Sequence, residues 1–265
     1  MTDRYADYER LLVRPAPDGV YTVVLGPGRE TLSVDARLHA ELATIWDDLD
    51  RDPDVSVVLV EGPNDDGFLF GGSLPLAQEL VASSAARFRM MEEHRRFVLG
   101  MVGCAKPIVS AVRGRAVGEG TVIALMSDIS IVGPGTTLLD RHVPMGVVAG
   151  DHAALVWPLL TSMAKAKYHL LLGKELDGEE AERIGLVSRV VPDVEVRDEA
   201  RSVAAALAAS PPDAVRWTKK TLNSWYQPAV PAFDASLAVE VLGFAGDDFA
   251  AVVDRLAAAA PEAGA

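Results

Sequence analysis

Two periods of apolar and polar positions divide this chain. "YTVVL" (21–25) is an unbroken apolar run of strand length. "SVDARLHAELATIWDDLDRDP" then carries apolar residues at helical spacing from Val34 to Leu49 and is stopped by Pro53. "VSVVLVEG" (55–62) predicts a second, buried strand. The order strand, helix, strand, with near-continuous Val and Leu in the second strand, predicts parallel pairing in a sheet covered on both faces. "ASSAARFRMMEEHRRFVLGMVGC" (82–104) predicts a long helix and "PIVSAV" (107–112) the next strand. After the small-residue run "RGRAVGEGTVIALM", "SDISIVG" (127–133) predicts another strand. From Asp151 the pattern is helical, interrupted by one short strand at "LVSRVV" and by Gly173, Pro192, Pro211 and Pro212. The expected organisation is an α/β core over residues 1–195 and a helical region over 196–265. The tail segments "PAFDASLAVEVLGFA" and "DDFAAVVDRLAAAA" have apolar faces too wide to leave in water, which predicts packing on the core and on a neighbouring subunit.

Composition narrows the function classes. The 265 residues are 49% apolar and 24% charged, enough to bury a substantial core, with disorder expected only at the Ala-rich end "AAAAPEAGA". A net charge of −13 disfavours nucleic acid and anionic membrane surfaces as partners. No apolar h-region opens the chain and no segment reaches about 18 uninterrupted apolar residues, so a cytoplasmic protein is expected. The single cysteine, Cys104, excludes an internal disulfide and reads as a buried thiol beside a helix end.

Two glycine-containing turns carry the first candidate chemistry. In "GFLFGGSL" (67–74) a strand ends and the chain turns at Gly71 and Gly72, where the backbone can approach a ligand closely. In "RGRAVGEGTVIALMSD" (113–128), Gly118 to Gly120 open an apolar helical run, and a helix start offers unpaired N–H groups suited to a developing oxyanion. Neither turn has the Lys-Ser/Thr pair of a phosphate loop or dinucleotide spacing.

"PDVSVVLVEGPNDDGFLFGGSL", "AKPIVSAVRGRAVGEGTVIALMSDISIVG" and "LDGEEAERIGLVSRVVP" together resemble, in order, the three signature regions of the crotonase superfamily, or enoyl-CoA hydratase/isomerase family. The resemblance implies an α/β fold of the ClpP/crotonase type, a spiral of repeated ββα units closed by a C-terminal helical oligomerisation region. It implies assembly as a homotrimer or dimer of trimers. It also implies two backbone N–H groups, here those of Gly72 and Glu119, holding a thioester or ketone oxygen while an enolate forms. Phe70, Gly71, Gly118, Val122 and Met145 are then expected to line the substrate.

The family's usual acid and base are replaced. A glutamate normally lies three residues after the second oxyanion donor and another follows a proline before a Gly-rich helix start; these positions hold Val122 and His142. Phe70 stands where a small residue often leaves room near the adenine of coenzyme A. His142 titrates near neutral pH in its unperturbed form and can pass a proton where valine cannot. Asp151, at a helix start nine residues on, would either orient that imidazole or cap the helix "HAALVWPLL". Asp140, two residues before His142, would share its face in a strand. Glu119 stands where the family has glycine, and its carboxylate would either enter the pocket or favour the helix N-terminus. His152 reads as a solvent-facing residue of a first helical turn, and His39, His94 and His169 as surface or core residues. No grouping has zinc or calcium spacing, so no metal is expected.

"GVVAGDHAALVWP" is locally similar to the superfamily branch, typified by 6-oxocamphor hydrolase, that hydrolyses carbon–carbon bonds in cyclic 1,3-diketones. That likeness implies that His142 activates water and the oxyanion hole accepts the expelled enolate. The competing readings are a hydratase or isomerase acting on an acyl-CoA, and a catalytically silent member whose pocket Phe70 and Met145 fill. The expected partner is a small carbonyl compound or an acyl-CoA; no cofactor is implied, except that coenzyme A would form part of the latter substrate.

Overall fold

The computed structural model describes residues 4–28, 33–64 and 67–259. Most of the Ala-rich end lies outside these residues. The strands, in chain order, are β1 (Leu11–Arg14), β2 (Val20–Leu25), β3 (Ser33–Val34), β4 (Val57–Glu61), β5 (Gly67–Gly72), β6 (Ile108–Val112), β7 (Arg115–Val117), β8 (Ile129–Val132), β9 (Thr137–Leu139), β10 (Leu176–Asp177) and β11 (Arg189–Val190). The helices are α1 (Ala36–Leu42), α2 (Ile45–Arg51), α3 (Leu74–Ala82), α4 (Ser84–Gly103), α5 (Glu119–Met126), α6 (Ala153–Leu160), α7 (Met163–Leu172), α8 (Gly178–Arg183), α9 (Val196–Ala208), α10 (Pro212–Asn223), α11 (Val230–Gly243) and α12 (Asp247–Ala259).

Two sheets alternate along the chain. The larger has the order β1-β2-β4-β6-β8-β11 and the smaller β10-β9-β7-β5-β3. In each of the pairs β2/β3, β4/β5, β6/β7 and β8/β9 the first strand joins the larger sheet and the second the smaller. Helices follow each pair, which is the expected ββα spiral. Neighbours pair in parallel except β1 with β2 and β10 with β9. β4 and β6 are apolar on both sides because both sides are covered. Val23, Val58, Val60 and Ile108 face a core shared with Leu42, Trp46 and Phe97, while Val57, Leu59 and Val109 meet Val196, Ala200 and Ala204 of α9.

The helix expected over 34–49 is two helices. Thr44 breaks it: its hydroxyl donates to the carbonyls of Ala40 and Glu41, competing with the backbone ladder. Cys104 caps α4, is buried, and its thiol is pushed up to about 11, chiefly by that burial. Within this chain α11 and α12 bury Phe233, Leu237, Val241, Phe249 and Val253, and α12 lies against α3. Exposed apolar side chains lie on α7 at Met163, Leu171 and Leu172, on α10 and the turn after it at Trp217, Leu222 and Trp225, and on α11 at Val239 and Leu242. No helix among the described residues is long and apolar enough to cross a membrane.

Candidate active site

The two glycine turns meet. Gly118 precedes α5 with φ +54° and ψ −118°, a conformation L residues rarely adopt, and a Cβ there would lie 3.0 Å from the Cα of Gly71. Two residues on, a Cβ at Gly120 would lie 2.2 Å from the carbonyl oxygen of Leu69, so α5 sits directly on β5. Phe70, Gly71, Gly72, Gly118 and Glu119 consequently share one wall of a cavity of about 500 Å³. Val122, expected beside the substrate, is wholly buried and belongs to the apolar core packed around α5.

The opposite wall carries the polar cluster. His142 does not lie on a strand edge. The chain leaves β9 at Leu139, and His142 opens a 3₁₀ turn over Val143–Met145, forced by Pro144 and closed by Gly146 in the left-handed region. That turn brings Asp140 and His142 together although they share no strand. One oxygen of Asp140 accepts from the His142 backbone N–H at 3.1 Å and contacts ring Nδ1 at 2.9 Å. Of the two aspartates, Asp140, and not Asp151 as expected, lies within hydrogen-bond distance of the His142 ring. Asp151 faces the other ring nitrogen, with Oδ2 3.6 Å from Nε2, and Glu240 Oε1 is 3.4 Å from the same atom.

Asp151 makes no capping bond. His152 occupies the position before α6, and Asp151 Oδ1 accepts from His152 Nδ1 at 2.6 Å while Trp157 Nε1 donates to His152 Nε2 at 3.3 Å. His152 is therefore buried, not solvent-facing, and holds Asp151 in place from behind. A Cβ at Gly150 would lie 2.3 Å from the carbonyl oxygen of Ser236, whose hydroxyl donates to Gly150 at 2.8 Å. This close approach of α11 sets Glu240, one turn further on, against His142.

The electrostatics follow from the clustering. Burial pushes the His142 imidazole down, but Asp140, Asp151 and Glu240 outweigh it and raise it well above the ordinary range. Burial pushes Asp140 and Asp151 up, and His142 overrides it, so both are held below the usual carboxylate range. For Glu240 burial dominates and pushes the carboxyl up to about 7, partly offset by His142. Burial also raises Glu119, whose carboxylate lines the cavity. Two triads have donor atoms within 4.8 Å of one another, His142 with Asp151 and Glu240, and Asp140 with Asp151 and His152. Asp151 is already hydrogen-bonded to His152, and His142 is bonded to Asp140 and ion-paired with Asp151 and Glu240, so the arrangement reads as an ion-pair network before it reads as a cation cage.

Sequence reasoning missed three features. Glu240 is an acid on the apolar face of α11, in register with Phe233, Leu237 and Phe244, and that misplacement is a readable signal. His94 lines the cavity in addition to being buried. The apolar lining from Leu76, Leu80, Met90, Val241, Phe244 and Phe249 comes from distant segments with no local signature. Phe70 and Met145 border the cavity without filling it, and His142 faces into it, contrary to the silent-member arrangement.

Similar proteins agree with the fold. An (E)-benzylidenesuccinyl-CoA hydratase of Thauera aromatica is 31% identical over 188 residues, covering 71% of this chain and 72% of that protein. A probable enoyl-CoA hydratase of Mycobacterium bovis is 26% identical, covering 89% of this chain and 86% of its own length. Among solved structures, an enoyl-CoA hydratase/isomerase from Mycobacterium paratuberculosis superposes with a TM-score of 0.88 at 33% identity, covering 93% of this chain and 98% of that one. A beta-diketone hydrolase from the cyanobacterium Anabaena, bound to (S)-3-oxocyclohexyl acetic acid, shares the fold with a TM-score of 0.84 at 23% identity, covering 92% and 98%. The profile of the enoyl-CoA hydratase/isomerase family matches residues 17–240, and the chain belongs to that family, as an enzyme of the crotonase superfamily.

Proposed function

We propose that this enzyme hydrolyses a carbon–carbon bond of a 1,3-dicarbonyl compound, with the amides of Gly72 and Glu119 stabilising the enolate that leaves. The observation that carries the reading is the replacement of the family's glutamate pair: Val122 is sealed in the core, while His142, Asp140, Asp151 and Glu240 form a proton-handling cluster across the cavity from the two glycine turns. Two preorganised amide donors in a dry pocket contribute about 3 kcal/mol each to an oxyanion.

The charges favour a division of labour different from water activation by His142. Three carboxylates keep the imidazole protonated, which suits it to give a proton rather than take one. Glu240, titrating at about 7, is matched to accept the proton of water. Water oxygen adds to one carbonyl carbon, Glu240 takes its proton, the bond to the central carbon breaks, and its electron pair becomes the enolate. His142 protonates that carbon and regains a proton from Glu240. The products are a ketone and a carboxylic acid, or one keto acid from a cyclic substrate.

Incubation with a panel of cyclic 1,3-diketones, following acid release, tests the reading. Turnover lost in His142→Ala supports it, and unchanged turnover in that variant overturns the mechanism. The second reading, water addition to an acyl-CoA, has the CoA-ester hydratases among the relatives in its favour. It predicts tight binding of acyl-CoA and loss of the conjugated thioester absorbance of a crotonyl thioester, with no action on diketones. Under either reading we place the protein in a homotrimer or dimer of trimers, supported by the exposed Trp217, Leu222 and Trp225. Light scattering on the purified chain checks it.

A further inference from the structure

Behind the cavity a second histidine pair is buried that the mechanism above does not use. His39 of α1 is wholly enclosed; its Nδ1 is 2.7 Å from Glu93 Oε2, and its Nε2 is 3.4 Å from Nδ1 of His94. His94, on α4 and one residue after Glu93, is 4% exposed and borders the cavity. Its remaining nitrogen, Nε2, is buried without a hydrogen-bond partner among the described residues, 3.7 Å from Asp151 Oδ2.

The donors and acceptors along this line fix what that nitrogen presents. A carboxylate only accepts, so His39 Nδ1 carries the hydrogen shared with Glu93, and Arg89 Nε, 3.9 Å from Glu93 Oε1, keeps that acid in a cationic setting. In the arrangement where each ring carries one proton, His39 Nε2 accepts, His94 Nδ1 donates to it and His94 Nε2 is left as a bare lone pair. Burial holds His94 far down, at about 3, in keeping with a ring that stays neutral. Asp151 Oδ2, 3.7 Å from His94 Nε2, is itself an acceptor. It also faces His142 Nε2 at 3.6 Å, but among the described residues no side chain donates to His94 Nε2, and an O–H at the cavity wall would satisfy it while lying beside Asp151.

We propose that His94 is a further catalytic residue: its Nε2, with Asp151 Oδ2, accepts the O–H that the reacting water keeps, and the Glu93–His39 chain serves to lock the tautomer that makes this possible. Water so held turns its other hydrogen to Glu240 and its lone pair to the substrate carbon. The inference rests on reading the site as one that activates water and is indifferent to the carbon skeleton. It assigns the Glu93, His39 and His94 line a role as a positioning relay that carries no net proton.

The full-length protein with ¹⁵N-labelled histidine decides the tautomer without any substrate. The His94 signals are expected to show protonated Nδ1 and unprotonated Nε2 shifted as for a hydrogen-bond acceptor, and His39→Gln is expected to abolish that single-tautomer pattern. A protonated His94 Nε2 overturns the proposal. Kinetically, His94→Phe should lower kcat about 10- to 100-fold with little change in KM, and His94→Gln, whose amide oxygen can accept in place of the ring, should recover part of it. Unchanged kcat in His94→Phe, with folding verified by circular dichroism, also overturns it. If no diketone is turned over while Nε2 behaves as a bare acceptor, the hydrolytic reading fails and this assignment stands.

Discussion

A single carboxylate oxygen of Asp140 grips His142 twice, at the backbone N–H and at ring Nδ1. The ring is thereby fixed with Nε2 toward Asp151 and Glu240, and toward the cavity. Asp140→Asn preserves an acceptor for Nδ1–H but deletes the largest of the charges that raise the imidazole. We expect the His142 titration, followed by NMR, to move down and kcat/KM to fall about 10- to 100-fold with the fold intact. Asp140→Ala removes the acceptor too and should cost stability of about 3 kcal/mol by leaving buried charge uncompensated.

Glu240 gives the site its dependence on pH. Burial raises its carboxyl to about 7, so the ionised form that can accept a proton from water becomes populated as pH rises through that value. The rate should climb with pH around 7, and Glu240→Gln should remove that limb together with most of the activity. Stability runs the opposite way. A carboxyl whose folded pKa is raised favours the fold fully below its unfolded value, near 4.5, and that contribution disappears as pH rises through 7. Glu240→Gln should therefore unfold at a higher temperature than the parent at pH 8, by up to about 3 kcal/mol in stability, with the gap closing toward pH 5.

Much of this is legible in the chain, and what is not has physical reasons. The alternation of β2, β4, β6 and β8 with helices is readable because strands covered on both faces must be apolar throughout, as "VSVVLVEG" and "PIVSAV" are. The glycine turns are readable because Gly118 needs a backbone region closed to other residues. A strand carried through His142 puts Asp140 on its face and leaves Asp151 at the next helix start to reach the ring, whereas Pro144 turns the chain and makes Asp140 the adjacent acid. Glu240 and His94 come from helices about 100 and 50 residues from His142, and only close packing, such as Gly150 against Ser236, brings α11 to the site. His152 reads as exposed because its position before a helix resembles a surface cap, while its two hydrogen bonds let it be buried at little cost.

Gly118 has two separable reasons for being glycine. Gly118→Ala forces an L side chain to φ +54° and drives a Cβ to 3.0 Å from the Cα of Gly71. Gly28 has φ +70°, and a Cβ there would meet nothing within 4 Å, so Gly28→Ala isolates the backbone term. We expect Gly28→Ala to lose about 1 kcal/mol in denaturant unfolding and keep its activity. Gly118→Ala should lose more, about 2 to 3 kcal/mol, and should lose turnover even where it remains folded, because it pushes the two glycine turns apart.

Restoring the family's usual acid should fail. Val122 lies three residues after Glu119, where hydratases of the family carry a glutamate, and substituting Val122→Glu is the obvious attempt to recover ordinary hydration. The Val122 side chain is entirely enclosed, in a core shared with Ile123, Leu125 and Phe97, and is not among the residues that line the cavity beside Gly118 and Glu119. A carboxyl there has no hydrogen-bond donor provided for it, so it stays protonated or unfolds its surroundings, at a cost of several kcal/mol. Denaturant unfolding should show that loss, growing as pH rises and ionisation is demanded, and water addition to a crotonyl thioester should not exceed that of the parent. A Val122→Glu variant that is as stable as the parent and hydrates the thioester would mean that α5 can rotate this position into the cavity, and would return the proton chemistry to the family's glutamates.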